Sequence, residues 1–176
     1  MKERIVVDEA RFGELMHNLL EALLRSGLES NTAIVGIHRR GAVIAKRLHE
    51  MIKGKSGQEL PLGSLDITLY RDDLRTIGPQ PVLHRTDLPF DVNDKRILLV
   101  DDVIYTGRTV RAALAALLDY GRPAKVELVV LVDRGHRELP IQPDHVALLL
   151  QTKPEEFVEV MVREIDGMDG VKVMTR

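Results

Sequence analysis

One segment constrains this chain more than any other, because in it an apolar run meets two adjacent carboxylates and a short glycine-containing loop. Residues 96–100 predict a buried strand, and Asp101 and Asp102 follow it at once. The loop at residues 106–109 then leads into a helical pattern over residues 110–118. The order strand, carboxylates, loop, helix is typical of an α/β protein whose ligand lies at the carboxyl ends of parallel strands.

The residue types in this loop favour a phosphate ligand. The free N–H groups at a helix N-terminus bind anions, and Thr106 and Thr109 add hydroxyl donors. Gly107 allows the backbone to approach a phosphate closely. The carboxylates would then face a polyhydroxylated group or a metal. The alternative is an ordinary strand–turn–helix capped by the Asp pair, which is less favourable because two adjacent negative charges repel each other.

The remaining pattern predicts a single α/β domain over residues 1–176. Apolar spacing indicates helices at residues 8–25 and 41–52, and strands at residues 33–37, 65–70 and 126–132. Residues 158–162 and 171–174 alternate as strands of a β-rich tail. Residues 71–94 are polar and contain Pro79, Pro81 and Pro89, which indicates a long flap or lid, with an exposed polar hairpin as the alternative.

Composition excludes several classes of function. The 176 residues contain no cysteine and no tryptophan, and the formal net charge is −2. The lack of cysteine therefore excludes disulfides, thiol catalysis and cysteine-based metal sites. The sequence also contains no His-x-x-x-His pair, so a zinc site is not expected. RNA or DNA could be bound only through a local basic patch. The first 15 residues contain seven charges, and no apolar run approaches the length of about 20 residues that spans a bilayer. Both features predict a cytoplasmic protein.

Residues 100–109 resemble the motif of type I phosphoribosyltransferases that binds phosphoribosyl pyrophosphate (PRPP). Residues 35–41, 66–74 and 132–141 narrow the resemblance to the PyrR family, whose members are uracil phosphoribosyltransferases and pyrimidine-operon attenuation regulators. The resemblance covers residues 8–141. It implies a central parallel sheet flanked by helices, with an inserted flap and a small β-rich hood. The implied reaction converts uracil and PRPP to UMP and pyrophosphate.

The resemblance also implies roles for individual residues. Asp101 and Asp102 would hold the ribose hydroxyls, and Arg71 at the start of the flap would face the pyrophosphate as a third catalytic residue. The residues expected to bind substrate in this segment are Val103, Ile104, Tyr105, Thr106, Gly107, Arg108 and Thr109, and the loop at residues 106–109 would hold the 5′-phosphate. The pyrophosphate loop consists of Arg39, Arg40 and Gly41, and the base would be recognised by Asp133, Arg134 and His136. Arg39 stands where the family usually has Thr, and a solvated basic helix start is the alternative for this loop.

Tyr105 argues against purine substrates. Relatives that use hypoxanthine or guanine usually carry Asp directly before the Thr-Gly pair, where this chain has Tyr105. The general base is thereby left unassigned, with Asp101 and Asp102 as candidates by proximity alone. Mg²⁺ is the expected cofactor, held mainly by PRPP, and no metal site built by the protein is predicted.

The family also implies partners beyond PRPP, uracil and UMP or UTP. Pyrimidine-operon leader mRNA is expected to contact Arg137, and a homo-oligomer, a dimer or larger, is expected. Gln142 stands where the family usually has Arg, and Ala147-Leu148 replaces the usual Gly-Lys. These differences remove positive charge that RNA binding uses. A salvage enzyme without RNA binding, or an RNA-binding nucleotide sensor with weak catalysis, are the alternatives.

Overall fold

Two β-sheets organise the chain in a computed structural model that describes residues 2–73 and 82–175. The elements in chain order are β1 (Lys2–Val7), α1 (Glu9–Arg25), β2 (Thr32–Ile37), α2 (Arg40–Ser56), β3 (Leu62–Leu65), a short 3₁₀ helix (Thr68–Tyr70), β4 (Arg96–Ile104), α3 (Arg108–Leu118), β5 (Lys125–Asp133), β6 (His145–Leu149), β7 (Glu156–Met161), α4 (Arg163–Asp166) and β8 (Gly170–Thr175). None of the helices in these described ranges is long and apolar enough to cross a membrane.

The central sheet has the strand order β3-β2-β4-β5-β6, and all four pairings are parallel. All six residues of β2 are buried, as are the first six of β4. Strands that are buried on both faces need apolar residues throughout, which explains the continuous apolar runs in the sequence. One face packs on α1 and α2 through side chains such as Leu98, and the other packs on α3 through side chains such as Leu99.

The second sheet forms the hood, and it consists of three antiparallel strands in the order β1-β8-β7. Ion pairs connect the segment between β7 and β8 to α2 beside the central sheet. The Arg47 guanidinium donates to Glu164 at 2.9 Å and to Asp169 at 2.7 Å. The Arg40 guanidinium donates to both carboxylate oxygens of Asp166, at 2.7 and 3.1 Å. These contacts hold the hood above the start of α2.

The predicted α/β class, parallel sheet and β-rich hood are confirmed, and one predicted strand is wrong. The strand expected at residues 65–70 lies earlier, at Leu62–Leu65, where it pairs with β2. The Asp66 carboxylate accepts hydrogen bonds from both the N–H and the hydroxyl of Thr68, at 2.9 and 2.6 Å. These bonds turn the chain into the 3₁₀ helix, so the alternating Leu65, Ile67 and Leu69 do not continue the strand.

Two element boundaries and two whole strands also differ from the sequence predictions. The carboxylates Asp101 and Asp102 lie within β4, because β5 continues to pair with β4 as far as Ile104. Helix α3 begins two residues earlier than predicted, at Arg108. Strands β1 and β6 were not predicted. Of the predicted flap, residues 74–81, with Pro79 and Pro81, lie outside the described residues, and the rest contains one antiparallel bridge between Asp87 and Ser64.

Candidate active site

The start of α2 lies against the carboxyl half of β4, and Gly41 makes this approach possible. A Cβ atom on Gly41 would lie 2.7 Å from the Val100 carbonyl oxygen and 3.0 Å from the Asp101 Cα, both of them backbone atoms. A residue with a side chain therefore cannot occupy this position without moving the backbone. The close approach brings the loop with Arg39 and Arg40 next to the two carboxylates, as the sequence predicted for a shared site.

Asp101 and Asp102 have few partners in the protein. The Asp101 carboxylate accepts from the Asp102 N–H, and the Asp102 carboxylate accepts from the Val103 N–H, each at 2.9 Å. Burial raises the pKa of Asp101 well above its ordinary value, and the charge of Asp102 adds to the rise. Burial also raises the pKa of Asp102, against the opposing effect of the Arg40 charge. Few partners in the protein offset this burial, so hydroxyl groups or a cation at these oxygens would favour the ionised form of the pair.

Gly107 shapes the loop between β4 and α3. Its φ of 94° lies in the left-handed region, which favours glycine. The Thr106 hydroxyl accepts from the N–H of Arg108 at 3.2 Å, and the Thr106 carbonyl accepts from the Leu139 N–H at 3.1 Å. The N–H groups in the first turn of α3 have no partners within the helix, so this loop presents donors to an anion.

Arg108 links this loop to two other parts of the site. Its guanidinium donates to Glu138 at 2.7 Å, in the loop after β5, and to Asp72 at 2.8 Å, at the start of the predicted flap. A cavity of about 410 Å³ lies here, and its lining residues are Arg71, Asp72, Asp73, Tyr105, Thr106, Arg108 and Thr109. Arg71 lies at this cavity with its guanidinium paired to Asp73 at 2.7 and 2.8 Å.

The two arginines expected at the pyrophosphate differ in their surroundings. Arg39 is exposed and forms no ion pair with any residue in the described ranges. The Arg40 guanidinium instead points to the hood, where Asp166 binds it with two hydrogen bonds and Glu159 lies 3.7 Å away. The structure therefore gives Arg40 a hood-binding contact that the sequence could not reveal, because Asp166 lies 126 residues away.

A second cavity, of about 510 Å³, opens between the loop after β5 and the segment after β6. Its lining residues are Asp133, Arg134, Gly135, His136, Leu149, Leu150, Gln151 and Thr152. The Arg134 guanidinium carbon lies 3.9 Å from the centre of the Tyr105 ring, and the His136 ring meets the same Tyr105 ring edge-on. Tyr105 lines the first cavity and Arg134 lines the second, so their contact connects the linings of the two cavities.

Arg137 lies in the same loop, but its guanidinium is used within the protein. It donates to the carbonyls of Ile141 at 2.7 Å and Tyr105 at 2.8 Å. It also donates to Asp133 at 2.6 Å and to Gln142 at 3.0 Å. The prediction that Arg137 contacts RNA stays untested. In this structure its contacts fix the loop that lines the second cavity.

Two contacts near the site gave no signal in the sequence. The rings of His38 and His84 stack with their centres 5.1 Å apart, which connects the end of β2 to the returning part of the flap. His38 also shares a hydrogen bond of 3.0 Å with the Ser64 hydroxyl. The second contact is the pairing of Arg108 with Asp72 and Glu138. All of these pairs are distant in sequence, and side-chain type alone does not identify them.

Known proteins are similar to this chain over most of its length. The phosphoribosyl transferase domain family matches residues 6–163. A protein named Bifunctional protein PyrR from Elusimicrobium minutum is 47% identical over 175 residues, which cover 99% of this chain and 98% of the relative. One of the same name from Thermus thermophilus is 52% identical over 162 residues, 92% of this chain and 88% of the relative. The chain belongs to the PyrR family. The resemblance to this family, which residues 35–41, 66–74, 100–109 and 132–141 carry together, is thereby confirmed.

Solved structures establish the fold of this PyrR-family chain. A hypoxanthine-guanine phosphoribosyltransferase from Bacillus anthracis aligns with a TM-score of 0.72 at 17% identity, covering 98% of each chain. A hypoxanthine phosphoribosyltransferase from Staphylococcus aureus aligns with a TM-score of 0.70 at 20% identity, covering 98% of this chain and 92% of the other. The type I phosphoribosyltransferase fold is therefore confirmed. Structural similarity at such low sequence identity shows the fold alone. It does not indicate which base the PyrR-family chain uses.

Proposed function

We propose that the chain is a uracil phosphoribosyltransferase that converts uracil and PRPP to UMP and pyrophosphate. The observation that carries the proposal is the pair of cavities whose linings meet in the contact between Tyr105 and Arg134 at the carboxyl end of β4. One cavity presents the phosphate loop, and the other presents the residues expected to recognise a base. The membership in the PyrR family supports uracil as that base, and Tyr105 in place of Asp argues against a purine.

The reaction needs charge placed around the anomeric carbon of PRPP. A bond forms between N1 of uracil and C1′ of the ribose, the bond from C1′ to the pyrophosphate oxygen breaks, and pyrophosphate leaves with the electron pair. Positive charge develops on the ribose ring in this step. In our proposal Asp101 and Asp102 hold the ribose hydroxyls, and their negative charge stabilises that ring. The N–H groups of the loop at residues 106–109 bind the 5′-phosphate.

The pyrophosphate would lie between the loop that contains Arg39 and the start of the flap. Arg39 is exposed and unpaired with any described residue, so its charge is available. Arg71 would exchange its contact with Asp73 for the leaving group. In our proposal the Asp72–Arg108 ion pair, 2.8 Å long, holds the flap against the phosphate loop. A closed flap excludes the water that would otherwise hydrolyse PRPP.

The carboxylate pair fits Mg²⁺ that is held mainly by PRPP. The described residues contain no group of three or more His, Cys, Asp or Glu side chains that could hold a metal by themselves. The adjacent oxygens of Asp101 and Asp102 are donors of the kind this ion prefers, and it usually keeps substrate phosphate oxygens and waters as its other ligands. When bound with PRPP, Mg²⁺ would neutralise charge on the pyrophosphate.

A nucleobase panel tests the activity. The protein is incubated with PRPP, Mg²⁺ and uracil, cytosine, hypoxanthine or guanine in turn, and nucleotide and pyrophosphate are measured separately. We expect UMP and pyrophosphate in equal amounts, with turnover of uracil exceeding that of either purine. Faster turnover of hypoxanthine or guanine would contradict the assignment.

We also propose that the chain regulates pyrimidine operons by binding leader mRNA when UMP is bound. The relatives' name, Bifunctional protein PyrR, supports this second function. The Arg137 contacts suggest how the two functions would be coupled, since this guanidinium fixes the loop that lines the base cavity. UMP should tighten binding of leader RNA by roughly 5- to 150-fold, the usual range for two coupled sites. The opposite outcome is that leader RNA binds weakly and salt-dependently, with the same affinity whether or not UMP is present. That result would contradict regulation and favour a salvage enzyme alone.

We further propose a homo-oligomer and a cytoplasmic location. Light scattering of the purified protein after gel filtration tests the first, and fractionation of cells tests the second. A monomer at all concentrations tested would contradict the expected dimer or larger assembly.

A further inference from the structure

Arg134 is a buried cation whose charge no carboxylate of the described residues neutralises. Its exposure is 5%, and it takes part in no ion pair within residues 2–73 and 82–175. Its Nε atom is shielded from solvent and has no hydrogen-bond partner in those residues, and its Nη2 donates only a long bond of 3.4 Å to the Lys153 carbonyl. An isolated charge is costly to bury, so a ligand that supplies negative charge would stabilise this arrangement.

The groups around Arg134 confirm that its charge is not balanced locally. The Tyr105 ring covers one face of the guanidinium at 3.9 Å. His136, in the same loop, uses its Nε2 in a bond of 2.7 Å with the Thr152 carbonyl. Glu156, the acidic residue of β7 that influences Arg134, accepts from the Lys153 N–H at 2.8 Å and lies 3.5 Å from Arg4. Burial is the main effect on Arg134, and it lowers the pKa of the guanidinium.

Arg137 provides an internal comparison, because it lies three residues further along the same loop. Its guanidinium is bound by Asp133 at 2.6 Å and by two backbone carbonyls. Asp133 is thereby engaged as well: burial acts against ionisation, but the hydrogen bonds from Arg137 and Gly135 outweigh it and lower the pKa of Asp133. The loop therefore contains Arg137, whose charge a carboxylate neutralises, and Arg134, whose charge no described carboxylate neutralises. Arg134 lines the cavity of about 510 Å³.

We propose that Arg134 takes the place of a general base by binding uracil as its N1-deprotonated anion. This inference rests on the proposed uracil phosphoribosyltransferase activity and assigns a catalytic residue for it. The negative charge of deprotonated uracil spreads over N1 and the two ring oxygens, and a nearby guanidinium stabilises it. Asp133 is a poor base, because its carboxylate is held ionised by Arg137. The position before Thr106 is Tyr105, so this position supplies no carboxylate that could accept the proton.

The transfer of the ribosyl group to N1 of uracil conserves protons and electrons. The N1–H proton of uracil passes to solvent water, and the cavity is open enough for this because Leu149 on its lining is 72% exposed. The electron pair on N1 then forms the bond to C1′, and the pyrophosphate oxygen takes the pair from the broken C1′–O bond. The sum is uracil plus PRPP giving UMP, pyrophosphate and one released proton.

Variants of the two arginines, assayed with two substrates, test the proposal. The substrates are uracil and 5-fluorouracil, whose N1–H is more acidic and therefore depends less on Arg134. For R134Q we expect kcat/KM to fall at least about 100-fold with uracil, the usual effect of removing one donor that stabilises developing negative charge, and at most about tenfold with 5-fluorouracil. The rise of kcat with pH, which reports ionisation in the complex with uracil, should move to higher pH in R134Q, and R134K should recover part of the activity with uracil.

R137Q is the matched control, since it removes a neutralised guanidinium from the same loop. A disturbed loop should lower kcat/KM by the same factor for both substrates and leave the pH profile in place. If R134Q behaves in this way, Arg134 is a positioning residue and the proposal is wrong. If R134Q does not fold, R134M supplies the same comparison, because an apolar side chain suits a buried site. If the unmodified protein converts neither substrate, the proposed function fails instead, and the two failures are distinguishable.

Discussion

Asp101 and Asp102 show how residues that burial makes unfavourable for stability can be candidates for binding a substrate. Both carboxylates lie in β4 and are hydrogen-bonded mainly to backbone N–H groups of their own strand. The sequence was sufficient to predict this pair, because two acidic residues after an apolar run are rare without a function. It was not sufficient for Arg40 or Arg137, whose partners are determined by how distant segments pack.

We expect D101N to lose turnover without losing stability. Burial and the neighbouring Asp102 raise the folded-state pKa of Asp101 above its unfolded value of about 3.9. The folded state then binds more protons, so the unmodified protein loses stability as pH rises above about 4, and D101N lacks this loss. Uracil turnover should fall at least about 100-fold, while the free energy of unfolding at pH 7, from urea denaturation, stays equal or rises. E14Q removes an exposed carboxylate and should change neither. Retained turnover in D101N would contradict the assigned role.

At the scale of elements, the approach of α2 to β4 determines the shape of the site. We expect G41A to destabilise the protein by about 1–3 kcal/mol, because the added Cβ would meet backbone atoms of Val100 and Asp101. G54A, in the same helix, is the matched control: no atom lies within 4 Å of its added Cβ, so it should stabilise by about 0.5–1 kcal/mol. Thermal and urea unfolding measure both. Equal effects of the two substitutions would show that the approach is not tight.

The stack of His38 on His84 joins β2 to the returning part of the flap, and it should be visible in a titration. Burial, then the charge of His84, lower the pKa of His38, against Asp66 and a backbone contact of Arg85. His38 should therefore titrate by NMR below the free value of about 6.5, and its burial should reduce stability as pH falls through that value. H84N should raise the His38 pKa but not to the free value, because burial has the larger effect. An unchanged midpoint in H84N would contradict the stacking contact.

At the scale of the whole molecule, the sequence predicted the central sheet better than its edges. Buried parallel strands such as β4 and β5 have continuous apolar runs, so their existence as strands was evident from the sequence. Strand β1 is exposed along most of its length and gains its order from pairing with β8, at the other end of the chain. The short edge strand β6 depends in the same way on β5. Pairings between distant segments leave little trace in local composition.

The hood should depend on Arg47 for its attachment. The Arg47 guanidinium binds Glu164 and Asp169 and lies 5.7 Å from the Phe12 ring centre. We expect R47M to lower the free energy of unfolding by about 1–3 kcal/mol, because it leaves two carboxylates without their partner. R163M removes an arginine whose side chain is 63% exposed and should cost less than about 1 kcal/mol. A single cooperative transition in these experiments would also support the prediction of one domain. Equal losses in both variants would contradict a special role for Arg47.

A crystal structure of the protein with UMP tests the central claim most directly. We expect the 5′-phosphate of UMP to lie against the N–H groups of residues 106–109 and the ribose hydroxyls to contact Asp101 and Asp102. The uracil ring should occupy the cavity lined by Arg134 and His136, with a ring oxygen within hydrogen-bond distance of the Arg134 guanidinium. UMP bound with its phosphate away from this loop, or with its base outside that cavity, would contradict the account.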